Sequence, residues 1–121
     1  MNNGAVVNLV IDATGNIADP GTTPIVPDAH IVFVITNNHN QKHRVSVLPH
    51  EFKKKKPANP DDPMDPFTQF WADVEATDIG AIVLRVRPSG HFGNPNGSKY
   101  GYKYIIHWSN SKLDPEIEIN N

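Results

Sequence analysis

The sequence predicts an all-β domain, folded as a two-sheet antiparallel sandwich with Greek-key connections. Among its 121 residues, 11 prolines and 8 glycines separate short apolar runs, which is typical of many strands joined by turns. Several of these runs alternate apolar and polar residues with the two-residue period of a half-buried strand. Sustained helical periodicity is absent between them. We therefore expect about seven strands in one domain that spans residues 1–121.

The first two strands are predicted from apolar, β-branched runs. Residues 5–11 are almost continuously apolar, and the turn residues Gly15-Asn16 and Asp19-Pro20-Gly21 follow them, so residues 12–24 are expected to form a loop. Residues 30–36 are the most apolar stretch of the chain, with bulky apolar side chains on both faces. This pattern predicts a central strand that is covered on both sides.

The middle of the chain combines one strand with an irregular segment. Val45 and Val47 alternate with polar residues after a restart at Lys42, which indicates a half-buried strand. Residues 49–66 hold the lysine run Lys53–Lys56 and then four prolines, and no regular element is expected there. Residues 67–74 fit both helical and strand spacing, and we predict a helical turn that leads into a strand.

Three further strands are expected towards the C-terminus. In residues 82–87, Ile82, Leu84 and Val86 form one face, and Val83, Arg85 and Arg87 form the other. The turn residues Pro88-Ser89-Gly90 follow. Residues 100–108 place Tyr102, Tyr104, Ile106 and Trp108 on one face. A last strand follows Asp114-Pro115, where Ile117 and Ile119 alternate with glutamates.

Composition excludes several classes of protein. The formal net charge of -2 provides no overall basic field, so we expect no nucleic-acid partner. The apolar runs are far shorter than the ~20 residues of a membrane-spanning helix. The chain has no cysteine, which excludes disulfides, thiolate catalysis and every thiolate-ligated metal centre. Residues 1–4 carry no signal-peptide pattern, which leaves both the cytoplasm and an exported mature form open.

Two segments resemble parts of the cupredoxin family. Tyr102-Lys103-Tyr104 followed by the segment 113–119, Leu-Asp-Pro-Glu-Ile-Glu-Ile, looks like the last two strands of cupredoxin-like domains, especially members without copper. Residues 31–38 and 43–47 are similar to the strand pair whose second member begins with the first histidine ligand. Together the segments cover about half of the chain, in the family's order. The resemblance implies a single cupredoxin-like β-sandwich domain.

The same resemblance argues against type 1 copper, which needs two imidazoles and a thiolate. At the position where the family carries its cysteine this chain has Ile106, and Leu113 lies closest to the position of the axial methionine. His43 alone remains where a ligand is expected. We therefore predict no cofactor, and a non-catalytic binding or interaction domain whose partner is an unidentified protein or small molecule.

His43 is also the weak candidate for a different metal site. It is spaced two residues from Val45 and four from Val47, so its side chain lies on the same face of the strand. Its ring is therefore expected to point towards the core at a strand end. With nitrogen and oxygen ligands from other side chains it could hold copper(II) or zinc without a thiolate; the alternative is a structural histidine bonded to a backbone carbonyl. His39 precedes it by four residues, but in a turn this spacing does not by itself bring two rings together.

Interaction candidates come from charged and aromatic residues. The run Lys53, Lys54, Lys55 and Lys56 could contact an anionic partner, although it also suits a solvated loop balanced by the aspartates that follow. Tyr100 and Trp108 lie at strand ends and are the aromatic candidates for a partner surface. The open edges of a sandwich also favour a homodimer formed by edge pairing. No motif for a nucleophile, phosphate loop or metal hydrolase is present, so we expect no enzyme.

Overall fold

The computed structural model describes residues 4–56, 67–88, 99–109 and 111–120, and these contain nine strands. Side chains are described within these ranges except at 49–56, 99–100 and 102–103. The strands are β1 (Ala5–Ile11), β2 (Thr22–Ile25), β3 (His30–Asn37), β4 (His43–Lys56), β5 (Phe70–Val74), β6 (Ile79–Arg85), β7 (Lys99–Trp108), β8 (Ser111–Leu113) and β9 (Glu116–Asn120). Within the described ranges no helix long and apolar enough to span a membrane is found.

The strands form two sheets. One sheet has three strands in the order β1-β3-β6, and the other has the order β2-β9-β7-β4-β5 with β8 paired to β7. The predicted all-β sandwich is confirmed, with more strands than the seven expected because β2 and β8 are short and lie in segments rich in turn residues.

Antiparallel pairing predominates, but two pairs are parallel. β1 runs parallel to β3, and β2 runs parallel to β9. The chain leaves the first sheet after β1, forms β2 in the second sheet and returns as β3. Because the intervening strand carries the chain across the sandwich, β3 re-enters in the same direction as β1, which a direct hairpin could not achieve.

The core lies between the two sheets and is supplied by alternate residues of the strands. β1 contributes Val7, Leu9 and Ile11, and β3 contributes Ile31, Phe33 and Ile35, all of them buried. On the facing sheet the core side chains of β4, β7 and β9 are Val45, Val47, Tyr104, Ile106, Trp108, Ile117 and Ile119. The rings of Phe33 and Phe67 each meet the ring of Tyr104 edge to face.

Three local expectations are corrected. Residues 49–56 do not form an irregular segment, because β4 continues to Lys56 by pairing with β7, with register shifts after Pro49 and Lys54. The prolines at 57, 60, 63 and 66 lie outside the described residues. The helical turn expected at 67–74 is absent: Phe67 lies in a bend, and β5 pairs with β4 from Phe70 onwards. The predicted loop 12–24 is interrupted at its end by β2.

The outward side of the three-stranded sheet is less covered than the sequence predicts. Val32 and Val34 in β3 are only half-buried, while Val6 and Val83 on the flanking strands are 62% and 57% exposed. The central position of β3 is confirmed, but only one of its faces is packed against the other sheet.

Candidate functional site

Three polar side chains form a hydrogen-bonded row at one end of the sandwich. His43 begins β4, and its Nδ1 lies 2.7 Å from Oγ of Ser109, which follows the last residue of β7. Its Nε2 lies 2.8 Å from Nδ1 of His39. The two imidazole rings are tilted by 32° with centroids 5.0 Å apart. The row therefore runs continuously from Ser109 through His43 to His39.

His43 is the buried member of the row. It is 5% exposed, as its position on the same strand face as Val45 and Val47 predicts. Burial, and secondarily the charge of His39, lower the pKa of His43 below its ordinary value. A neutral imidazole can donate through one nitrogen and accept through the other, so His43 can satisfy both neighbours without a charge.

Asn37 fixes the loop that carries His39. Its fully buried amide donates to the carbonyl oxygens of Gln41, Val74 and Glu75 at 2.8–3.1 Å. Its Oδ1 accepts from the backbone N–H of His39 at 3.0 Å. The chain between β3 and β4 is thereby folded back onto the strand end, which places the ring of His39 against that of His43.

The turn after β1 forms a wall of the site. Gly15 has a φ of 86°, and a Cβ atom there would meet the His39 ring at 3.4 Å. The Gly15 carbonyl accepts from the indole N–H of Trp108 at 2.9 Å. Asp12 shapes the turn by accepting from the backbone N–H groups of Thr14 and Asn16. Glycine is favoured at position 15 because the backbone is left-handed there, whereas a Cβ atom would meet the histidine ring only at an ordinary contact distance.

The predicted site residues have different outcomes. His43 lies where the sequence places it, at the strand end and facing inwards. Trp108 is not on a surface: its indole is 3% exposed and bonded to Gly15, so it belongs to the core. The side chains of Tyr100 and Lys53–Lys56 lie outside the described ones, although the backbone of both segments is in β7 and β4.

Sequence reasoning missed the partners of His43. In a turn, a spacing of four residues does not predict that the rings of His39 and His43 meet. The structure brings them together because Asn37 holds the loop by hydrogen bonds. Ser109 is 66 residues away in the chain, and only the pairing of β4 with β7 places it there. An asparagine that continues the two-residue spacing of the inward residues Ile31, Phe33 and Ile35 is the one signal in the sequence that could have indicated an ordered loop.

A second candidate surface, called here the outer face, is formed by three adjacent rows of outward side chains on the three-stranded sheet, and the charged Arg85 lies just beyond them at the end of β6. Strand register aligns its side chains in three rows: Val6, Val32 and Val83; Asn8, Val34 and Ala81; Val10, Thr36 and Ile79. Ile79 is 65% exposed, and no side chain in these rows is charged. Large exposed apolar side chains that adjoin one another mark interaction surfaces more often than isolated ones do.

Comparison with known proteins gives a structural match only. No family model and no curated protein sequence matches the chain. The solved structure of auracyanin B, a cupredoxin, is similar with a TM-score of 0.51 and 14% identity, over 97% of this chain and 89% of that one. The chain has a cupredoxin-like fold. At this identity the similarity establishes the fold and carries no function with it.

The donor set of this cupredoxin-like domain does not fit type 1 copper. The atoms that face the His43 ring are a nitrogen of His39 and an oxygen of Ser109, and the chain has no cysteine to supply a thiolate. Ile106 and Leu113, at the positions compared above with the family's cysteine and methionine, are cross-strand partners on β7 and β8. Among the described residues no cluster of three or more histidine, aspartate or glutamate side chains is arranged to hold a metal.

Proposed function

We propose that this chain is a non-catalytic cupredoxin-like binding domain without type 1 copper, and that the outer face binds its partner. The observation that carries the proposal is the absence of charge from three aligned rows of exposed and half-buried side chains on one sheet. The fold match supports the scaffold, and the donor set around His43 argues against electron transfer by a copper–thiolate centre.

The contrast between the two sheets supports this choice of surface. On the six-stranded sheet Arg44 makes two hydrogen bonds to Asp73, at 2.7 and 3.1 Å, and stacks 4.1 Å above the Trp71 ring. Charged, solvated residues of this kind are what an unoccupied outer surface normally carries. The outer face lacks them, and burial of its valines and isoleucine against a partner would be favourable by about 25 cal/mol per Å² of apolar area.

The test is affinity capture from an extract of cells that produce the protein naturally, with three baits at low concentration. The baits are the parent, Val83→Glu on the outer face, and Trp71→Glu, which changes a side chain of similar exposure (52% against 57%) on the other sheet. A protein that the parent and Trp71→Glu retain and Val83→Glu loses supports the proposal. Identical captured sets for all three baits would contradict it.

A second function, binding of copper(II) or zinc by histidine, is favoured by the separation of His39 and His43. Two nitrogen ligands at ~2.0 Å from copper(II) and at the right angle of its tetragonal geometry lie about 2.8 Å apart, whereas the tetrahedral angle of zinc separates them by about 3.3 Å. The facing nitrogens of these rings are 2.8 Å apart, which suits copper(II) as they stand and zinc only after the rings separate. Their hydrogen bond would have to be replaced by two metal bonds, and water would complete the coordination.

Calorimetric titration of metal-stripped protein with each ion tests this function. We expect 1:1 binding in the parent that is lost in both His39→Ala and His43→Ala, while His30→Ala, a change on an exposed histidine at the start of β3, leaves it unchanged. Copper(II) bound in this way would lack the intense blue colour of a thiolate site. Absence of heat, or equal binding by His39→Ala, would exclude the site.

A further inference from the structure

Ser109 lies at the solvent end of the hydrogen-bonded row at the end of the sandwich. Ser109 is exposed, whereas His43, to which its Oγ is bonded at 2.7 Å, is 5% exposed. The row therefore leads from a hydroxyl that solvent can reach to an imidazole that is shielded from solvent. A hydroxyl bonded to a base, which a third group orients in turn, is the arrangement that activates a serine as a nucleophile.

The residue type at position 109 departs from what its turn prefers. Trp108 pairs with Ser111 across β7 and β8, so Ser109 opens a two-residue hairpin turn, and its φ is 49°. Glycine, asparagine and aspartate are the residues that such turns favour at left-handed positions. Residues other than glycine that are held in this conformation cluster at functional sites. The turn by itself does not call for a serine, whereas the hydrogen bond to His43 uses the serine hydroxyl.

The hydrogen bonds of the row provide a path for the proton of the Ser109 hydroxyl. When this hydroxyl donates to Nδ1 of His43, the single proton of the neutral His43 ring is on Nε2 and is donated to Nδ1 of His39. By accepting that bond, His39 stabilises the imidazolium that forms when His43 takes the hydroxyl proton. His43 is then the general base, and His39 is a positioning residue.

We propose that Ser109 is a nucleophile activated by His43 and a site of covalent acylation by esters or thioesters with a good leaving group. Oγ bonds to the acyl carbon, the hydroxyl proton passes to Nδ1 of His43, and the bond from the acyl carbon to the leaving oxygen or sulfur breaks. The leaving group takes that proton and departs as an alcohol or thiol. The serine ester that remains has a poor leaving group, so it accumulates. This modification site is separate from the outer face and requires no turnover.

The test is reaction of the metal-stripped protein with p-nitrophenyl acetate. Release of p-nitrophenolate measures the rate, and tandem mass spectrometry of acid-quenched peptides assigns the acetyl groups to single residues. Ser111, a half-buried serine in β8, is the reference within the same chain. We expect Ser109 to be acetylated at least about 100-fold faster than Ser111, and to one equivalent, because a positioned base contributes at least about this factor. This comparison needs no variant.

Variants of the row assign the role of each residue. Ser109→Ala should abolish the rapid release of one equivalent. His43→Gln should slow acetylation of Ser109 at least about 100-fold, while His30→Ala, a change on an exposed histidine at the start of β3, should react like the parent. His39→Asn should slow it less, and its ¹⁵N NMR spectrum should no longer show the His43 proton fixed on Nε2, a signature that a purely structural role would not change. Circular dichroism checks that each variant is folded.

Several results would overturn the proposal. These are equal acetylation rates for Ser109 and Ser111, a rapid release that survives in Ser109→Ala, and a folded His43→Gln that reacts like the parent, which would assign the reactivity to exposure alone. A His43 ring that carries its proton on Nδ1 in the parent would show that His43 donates to Ser109 and is not its base. None of these results depends on capture of a partner by the outer face, so the two proposals fail separately.

Discussion

Nδ1 of His39 lies 2.8 Å from Nε2 of His43, although a spacing of four residues within a turn does not by itself bring two rings into contact. One proton fits between the two nitrogens. Protonation of both rings would set two N–H donors against each other, in addition to the repulsion of two positive charges. The contact is therefore compatible with a neutral pair and is opposed by acid.

Stability should fall as the pH drops below the ordinary pKa of histidine. The folded-state pKa of His43 is lowered from 6.5, chiefly by burial. Below about pH 6.5 the unfolded chain takes up a proton that the folded chain resists, so this contribution to stability is present above that pH and is lost as the pH falls towards the folded-state pKa. Urea unfolding between about pH 5 and pH 8 measures this loss.

The matched variant for the pH experiment is His39→Asn. Burial is the main reason that the pKa of His43 is lowered, and the variant removes the second, the like charge of His39. The pKa of His43 in an NMR titration should therefore rise part of the way towards its ordinary value, and the pH dependence of unfolding should become shallower. An unchanged His43 titration in this variant would show that His39 has no electrostatic effect on it.

Asn37→Ala should destabilise the protein by about 2–4 kcal/mol, because it removes several buried hydrogen bonds worth ~1 kcal/mol each and leaves carbonyls without a donor. The amide donates to Gln41, Val74 and Glu75 and accepts from His39. Asn38→Ala, a change at the exposed neighbour, is the control and should cost less than about 1 kcal/mol. Denaturant midpoints compare the two. Equal midpoints would contradict the role of Asn37.

Tyr104→Phe should leave the protein as stable as the parent or stabilise it by about 1 kcal/mol. The Tyr104 ring is fully buried, and its hydroxyl has no hydrogen-bond partner among the described residues. Burial raises the pKa of this phenol well above its ordinary value, so the group stays neutral. The variant keeps the edge contacts with Phe33 and Phe67. A loss of more than about 1 kcal/mol in thermal unfolding would reveal a partner for the hydroxyl.

Gly80→Ala should destabilise by about 1–3 kcal/mol through overpacking. A Cβ atom at position 80 would lie 2.7 Å from Cγ2 of Val74. In a double-mutant cycle with Val74→Ala, which deletes that methyl group, the added cost of Gly80→Ala should become much smaller. Additive costs in the cycle would mean that the contact is not what requires glycine.

Local pattern predicted most of the strands and which of their faces is inward. The alternation in β4 and β7 assigned His43, Val45, Tyr104 and Ile106 to the core, as found. It misjudged Trp108, because a position at a strand end does not reveal that the turn at Gly15 covers it. The local pattern also misjudged the second face of β3. An apolar side chain in the sequence does not show whether that face of the sheet is covered by another layer or open to solvent.

The sequence by itself determined that the chain is all-β, that His43 faces inwards and that no thiolate metal centre can form, because these depend on the two-residue period of a strand and on the absence of cysteine. Only the tertiary structure decided that His39 and Ser109 bond to His43, and that three strands align an uncharged outer face. Both are long-range results. Hydrogen bonds between distant loops and the register between separate strands depend on how the sheets pair, which no local pattern specifies.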